Sequence, residues 1–159
     1  MAEESKSERQ LVVFDLASEA YGVDINAVRE IIRMQEITNV PRAAEFVEGV
    51  INLRGKVIPV VDLRRRFGLA VAEGTKDNRI VVVEVGDHDI GIVVDAVTEV
   101  MRIPANSVEP PSAVITTDDS DYLMGIAKLE HSMIILLDLD RVLTGVQQEG
   151  LEAAAAAAA

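Results

Sequence analysis

Asp62, Asp95, Asp138 and Asp140 are the carboxylates placed where acid–base chemistry could be sought, and His88 and His131 are the only imidazoles. A general acid or base needs a perturbed pKa and a substrate within reach. The sequence offers these groups a plainer role. In "VVDLRRRFG" and "LLDLDRVLTG", Asp62 and Asp138 end an apolar run just before helical spacing begins. A carboxylate there accepts the free N–H groups of a first helical turn. Gly68 and Gly145 stand where C-caps belong, and both histidines fall at hairpin turns. There is no Cys, no H-x3-H pair, no G-x-S-x-G elbow and no glycine-rich loop opening a helix. Asp118-Asp119-Ser120-Asp121 lacks the sixth-position Gly and distal Glu of a calcium loop. The expectation is a non-enzyme with no metal and no cofactor.

One cation fits neither a cap nor a core. "VEGVINLRGKVIPVVDL" is two apolar runs joined by Arg54-Gly55. Gly takes positive φ at such a reversal without steric cost. Arg54 is either a solvated turn cation or a binding contact, since its planar fork suits carboxylates and interfaces. Arg64-Arg65-Arg66 reads as the wet face of a short helix.

The elements that must position these residues occur twice. Residues 11–34 align without gaps on 80–103 at an offset of 69, matching Gly22, Val28, Glu30 and Arg33 with Gly91, Val97, Glu99 and Arg102. Residues 46–67 align on 122–143 at an offset of 76, matching Gly49, Asp62 and Leu63 with Gly125, Asp138 and Leu139. The second copy therefore has seven extra residues between Pro104 and Tyr122, where "EPPSAVITTDDSD" reads as loop. It keeps the hairpin but writes Glu130-His131 where the first writes Arg54-Gly55. Folding of a copy thus does not require Arg at that tip.

Each copy reads as about five short strands, which argues for small barrels or a sandwich. The first gives 11–16, 21–25, 29–34, 47–53 and 56–61, with a helical turn at 26–28; the second gives 80–85, 90–94, 98–103, 123–129 and 133–137. The expected division is a flexible arm at 1–10, a first barrel at 11–72, a second at 73–146 and a tail from 147, with strands free to cross over. Residues 151–159, Leu-Glu and seven Ala, resemble a vector-derived end. Val50, Leu53, Ile58 and Val60 should line one core, and Ile126, Leu129, Ile134 and Leu136 the other.

Composition limits the partners. Aromatic residues are scarce and nearly half the residues are apolar, so Val, Ile and Leu must build the core, a bias toward strands. A formal net charge of −12 opposes nucleic acid and anionic membrane. No apolar run approaches the roughly 20 residues of a membrane span, and the polar start lacks a signal-peptide core. A cytoplasmic protein is expected.

"YGVDINAVREI", "FVEGVINLRGKVIPVVDLRRRFG" and "GIVVDAV" resemble the CheW-like family, the coupling proteins of bacterial chemotaxis, over about residues 11–145. The resemblance implies all-β architecture, as two tandem five-stranded SH3-like barrels with short helices. It implies a non-enzymatic adaptor that couples chemoreceptors to the histidine kinase CheA, binding the kinase's regulatory domain and the cytoplasmic tip of methyl-accepting receptors at membrane receptor arrays. It implies a pair between Arg54 and Glu30 near the contact surface, roles in coupling for Val28, Gly49 and Gly91, and a partner-binding hairpin of Asn52, Arg54 and Gly55. The chain departs from the family at Ala17, where Gly is usual, and at Ala44, where many members have Pro. A small-ligand-binding double barrel is the alternative reading.

Overall fold

The computed structural model describes residues 8–41, 47–67, 69, 74–109, 123–129 and 132–143. Eleven strands run in chain order: β1 Glu8–Leu16, β2 Glu19–Asp24, β3 Val28–Arg33, β4 Val47–Leu53, β5 Lys56–Asp62, β6 Arg79–Val85, β7 His88–Val94, β8 Ala96–Pro104, β9 Val108–Glu109, β10 Leu123–Lys128 and β11 Met133–Leu137. Among the described residues, short helices α1 Leu63–Arg66 and α2 Leu139–Val142 follow β5 and β11, and 3-10 turns occupy Ile25–Ala27 and Ala105–Ser107. The chain is all-β in class, as its Val- and Ile-rich composition predicts. Gly68, Gly145, His131, Ala44 and residues 110–122 lie outside the described residues.

The strands form a six-stranded sheet, ordered β8-β1-β2-β11-β10-β9, and a five-stranded sheet, ordered β3-β6-β7-β5-β4. Among the described residues neither sheet closes by hydrogen bonds between its terminal strands, so the expected closed five-stranded barrels become open sheets, one of them with a sixth strand. That strand, β9, includes Glu109, which the sequence reading assigned to loop; it pairs Ile126 with Glu109. Its counterpart in the five-stranded sheet is a single bridge between Thr38 and Val50.

The copies exchange their first hairpins. β6 and β7 belong to the second copy yet join β3, β4 and β5, while β1 and β2 join β8, β10 and β11. Subdomains drawn as contiguous blocks therefore do not coincide with the sheets. The joints are parallel pairs that repeat the duplication: Val60 faces Gly91 in one, and Leu136 faces Gly22 in the other. The bulges repeat as well. Residue 29 is skipped between Val28 and Glu30 opposite β6, and residue 98 between Val97 and Glu99 opposite β1. Residue 48 is skipped between Val47 and Gly49, and residue 124 between Leu123 and Gly125.

This exchange explains why β1, β6 and β7 read as nearly continuous apolar runs, since both of their faces are covered. Ile58, Val60, Ile80 and Val82 form one core with Leu53 against it, and Leu11, Val13, Ile134 and Leu136 form another with Leu129 against it. The alternate residues of the same strands, including Val12, Phe14, Val61, Val81, Val83 and Ile92, build a third and larger cluster. The two expected cores are present, but Val50 and Ile126 are buried outside both, and the shared layer was not expected. The described aromatics gather at that layer, where Phe14 stacks on Tyr21 at 6.1 Å and Tyr21 on Phe67 at 5.9 Å between ring centroids.

Candidate functional site

The β4–β5 turn is made by two residues in the left-handed region, Arg54 at φ 55° and Gly55 at φ 84°. Positive φ at both central positions is the geometry that matches strand twist and favours Asn-Gly. Asn52 supports the reversal: its Oδ1 accepts the Gly55 N–H at 2.8 Å. Gly55 suits its position, but Arg54 is an unfavourable residue in a strained conformation, of the kind that collects at functional sites.

The strain holds the guanidinium over the opposite edge of the sheet. Arg54 Nη1 donates to Glu30 Oε2 at 2.6 Å and Nη2 to Oε1 at 3.0 Å. Glu30 lies on β3 and Arg54 follows β4, and these are the two terminal strands of the five-stranded sheet. The bidentate pair thus joins two strands that, among the described residues, no backbone hydrogen bond joins directly. The Arg54 side chain remains 73% exposed and that of Glu30 29%, so the fork is both aimed and accessible. The Arg54 hydrogen bond holds the Glu30 carboxyl below its ordinary pKa.

A second set of ion pairs flanks the first. Arg29, the bulged residue of β3, reaches Glu84 at 2.6 Å and Asp89 at 3.3 Å, and Lys56 reaches Asp89 at 2.8 Å. Sequence reasoning missed these four residues. Their partners lie tens of positions apart, and only the hairpin exchange brings β6 and β7 alongside β3 and β5.

The remaining residues singled out by sequence take different places. Val28 sits two positions before Glu30, at the foot of the bulge, and packs partly buried on the shared core. Gly49 and Gly91 are buried. A Cβ on Gly49 would stand 2.1 Å from the Thr38 carbonyl oxygen, and one on Gly91 would stand 2.8 Å from Ile80 Cγ2. The structure therefore assigns both glycines a packing role, while Arg54, Glu30, Asn52 and Gly55 meet at the surface.

Two of the four candidate acid–base carboxylates, Asp62 and Asp95, have structural bonds. Asp62 caps α1, its Oδ1 accepting the Arg64 N–H at 3.0 Å, a contact that contributes about 1 kcal/mol. The residue ending α1 is Phe67, whose N–H returns to the carbonyls of Arg65 and Leu63. The Asp138 carbonyl accepts the Val142 N–H at 2.9 Å, and Asp140 is an exposed carboxylate in the first turn of α2. His88 opens β7 opposite Val85, and no cluster of metal-ligating side chains occurs among the described residues.

Asp95 does more than end a strand. It accepts Arg64 Nε at 3.1 Å, Arg64 Nη2 at 2.5 Å and the Ala17 N–H at 2.9 Å. It therefore ties the β1–β2 turn of one sheet to the helix that follows β5 of the other. That turn has Ala17 at φ 51° and Ser18 at φ 69°, whereas the second copy puts Gly86 at the position equivalent to Ala17. Burial raises the Asp95 pKa, but the Arg64 hydrogen bond, the Ala17 N–H and the Arg64 charge outweigh it and leave it lowered. A depressed folded pKa contributes stability that is present above the unfolded aspartate value of about 3.9 and is lost as pH falls below it. Asp95→Asn is expected to destabilise by about 1–2 kcal/mol at pH 7, since both partners are only partly screened. Urea unfolding should show the gap to wild type closing as pH falls below about 4; a gap independent of pH would mean the charge is irrelevant.

Comparison with known proteins adds the family context. A family model described as the CheW-like domain matches residues 10–147. The chemotaxis protein CheW of Treponema pallidum is 33% identical over 146 residues, covering 89% of this chain and 86% of that protein. That of Thermotoga maritima is 34% identical over 140 residues, covering 86% and 88%. Among solved structures, the scaffolding protein TtCheW from Thermoanaerobacter tengcongensis is similar with a TM-score of 0.79 and 47% identity, over 85% of this chain and 92% of that one.

Proposed function

The chain belongs to the CheW-like domain family, and from that premise we propose that it is a non-enzymatic chemotaxis scaffold joining the regulatory domain of the kinase CheA to the cytoplasmic tips of methyl-accepting chemoreceptors. It works in the cytoplasm and is recruited to membrane receptor arrays. The relatives named above are chemotaxis proteins, and the solved one is described as a scaffolding protein.

The observation that carries a partner-binding reading is the Arg54–Glu30 pair. A strained turn residue holds an exposed fork in a bidentate pair, which is costly for a feature with no task. Recognition centres on Arg54 and Glu30, with Asn52 and Gly55 shaping the turn and Val28 fixing the bulge that presents Glu30. Gly49 and Gly91 act on the same surface from below, by keeping β4 and β7 in place. The adaptor mechanism is thermodynamic. A scaffold touching both receptor and kinase stabilises whichever kinase state its receptor-bound form contacts better, by no more than its differential affinity for the two states.

The double-barrel ligand-binding alternative is not favoured, because each sheet packs its own core with side chains such as Ile58, Val60, Ile134 and Leu136. The test is a pull-down with purified CheA and a receptor cytoplasmic fragment from the same cell. The expected result is a ternary complex that requires this protein and alters kinase activity. Receptor and kinase associating equally well without it would refute the proposal.

A further inference from the structure

Away from the Arg54 turn, one concavity of about 440 Å³ is lined by Arg33, Met34 and the segment Thr75–Arg79. It carries three cations, Arg33, Lys76 and Arg79, in a chain of formal net charge −12. None of the three has an ion-pair partner among the described residues, and Asp77, the one carboxylate of the lining, pairs with none of them.

Arg33 and Arg79 are moreover placed directly opposite each other on β3 and β6. Like charges in that position oppose strand pairing. The duplication shows that the fold does not require them. At the equivalent place in the six-stranded sheet, β1 and β8 pair Gln10 with Arg102, so the second sheet manages with one cation and a neutral partner. Arg79 is also held in position, since its Nη1 donates to the carbonyls of Lys76 and Asn78 at 2.8 Å each. A repelling pair, one member of it pre-oriented, marks a site for an anion.

The surroundings select the kind of anion. Phosphate cradles rely on several free backbone N–H groups, but this turn uses three of its own. The Asn78 N–H goes to the Thr75 carbonyl, the Thr75 N–H to Asn78 Oδ1 and the Asp77 N–H to Thr75 Oγ1. The cations of the lining are side chains, and beside them Met34 is 37% exposed, an adaptable apolar surface. Guanidinium forks with an adjacent thioether match alternating carboxylate and aliphatic side chains.

We propose that this concavity is a docking site for an acidic peptide segment of a protein partner, with Arg33 and Arg79 receiving its carboxylates and Met34 an apolar side chain. The proposal is independent of the chemotaxis role and needs none of its components. The test is a backbone-amide NMR titration of the full chain with a five-residue peptide of alternating glutamate and leucine, with its glutamine counterpart as control. Saturable shifts are expected at Arg33, Lys76 and Arg79 with the acidic peptide only, weakening as salt shortens the screening length. The double variant Arg33→Gln with Arg79→Gln should bind roughly tenfold more weakly or worse. Arg79→Gln alone recreates the neutral pairing of Gln10 with Arg102 but gives up the bonds to the Lys76 and Asn78 carbonyls, so its melting temperature should stay close to that of wild type. Arg54→Ala should leave peptide binding unchanged. Equal shifts with the neutral peptide, undiminished binding by the folded double variant, or preferential saturation of these residues by inorganic phosphate would each overturn the assignment.

Discussion

Replacing Arg54 by Ala is expected to weaken ternary-complex formation and kinase coupling while leaving the melting temperature within about 2 °C of wild type, because exposed ion pairs contribute little to stability. The pair with Glu30 is bidentate, but its arginine is largely exposed. An arginine at an interface centre, in contrast, can carry a loss of roughly tenfold or more in binding. The turn geometry sharpens the test. Arg54 occupies positive φ, where Asn is favoured before Gly. Arg54→Asn should therefore be at least as stable as wild type and still fail in coupling. A double swap, Arg54→Glu with Glu30→Arg, separates two roles. Continued failure means that Arg54 touches a partner, and recovery means that the pair only orients the surface. An Arg54→Asn protein that couples normally, or an Arg54→Ala protein that unfolds, would end the recognition role.

Gly49→Ala should produce the largest loss of stability, about 3 kcal/mol or more. Its Cβ would lie 2.1 Å from the Thr38 oxygen and 2.8 Å from the Thr38 carbonyl carbon, which are backbone atoms and cannot rotate away. Thr38 is held by reciprocal hydrogen bonds with Val50 at 2.8 and 2.9 Å, so making room means breaking that bridge. Gly91→Ala should cost less, because the nearest atom is a side-chain methyl of Ile80. Gly55→Ala should cost about 1 kcal/mol, since its Cβ would meet nothing within 4 Å and only the φ of 84° is unfavourable. Urea denaturation of the three variants checks this order. If Gly49→Ala unfolds as wild type does yet loses coupling, then Gly49 belongs to the contact surface and its packing role is secondary.

The contrast between Arg54 and Gly49 shows what a single sequence can distinguish. Both lie in the same quoted hairpin, and both are implied to matter by the family resemblance. Comparing the internal copies separates them. Gly49 recurs as Gly125, in keeping with its packing role, although recurrence alone does not decide the matter, since Glu30 recurs as Glu99 and stands at the surface. Arg54 is replaced by Glu130, and a residue the second copy discards is free to serve recognition.

The amino-acid sequence by itself determined the duplication, the all-β class, most strand spans to within about two residues, the Asp62 cap and the special standing of Arg54. These features are local or periodic. Alternation of apolar residues, a carboxylate before a helical turn and Gly at a reversal act over a few bonds, and a repeat makes each of them visible twice. Only the tertiary structure decided that β6 and β7 change places with β1 and β2. Equivalent hairpins present equivalent edges and apolar faces, so the pairing of either hairpin with either copy satisfies the same local rules. From that exchange follow the third core around Phe14 and Ile92, the Asp95–Arg64 tie between the sheets and the Arg29–Asp89 ion pair beside the recognition turn. The positive φ of Arg54 was equally invisible, because Arg is a poor residue for that conformation. Local preference argued against it, and the requirement to span two sheet edges with one side chain prevailed.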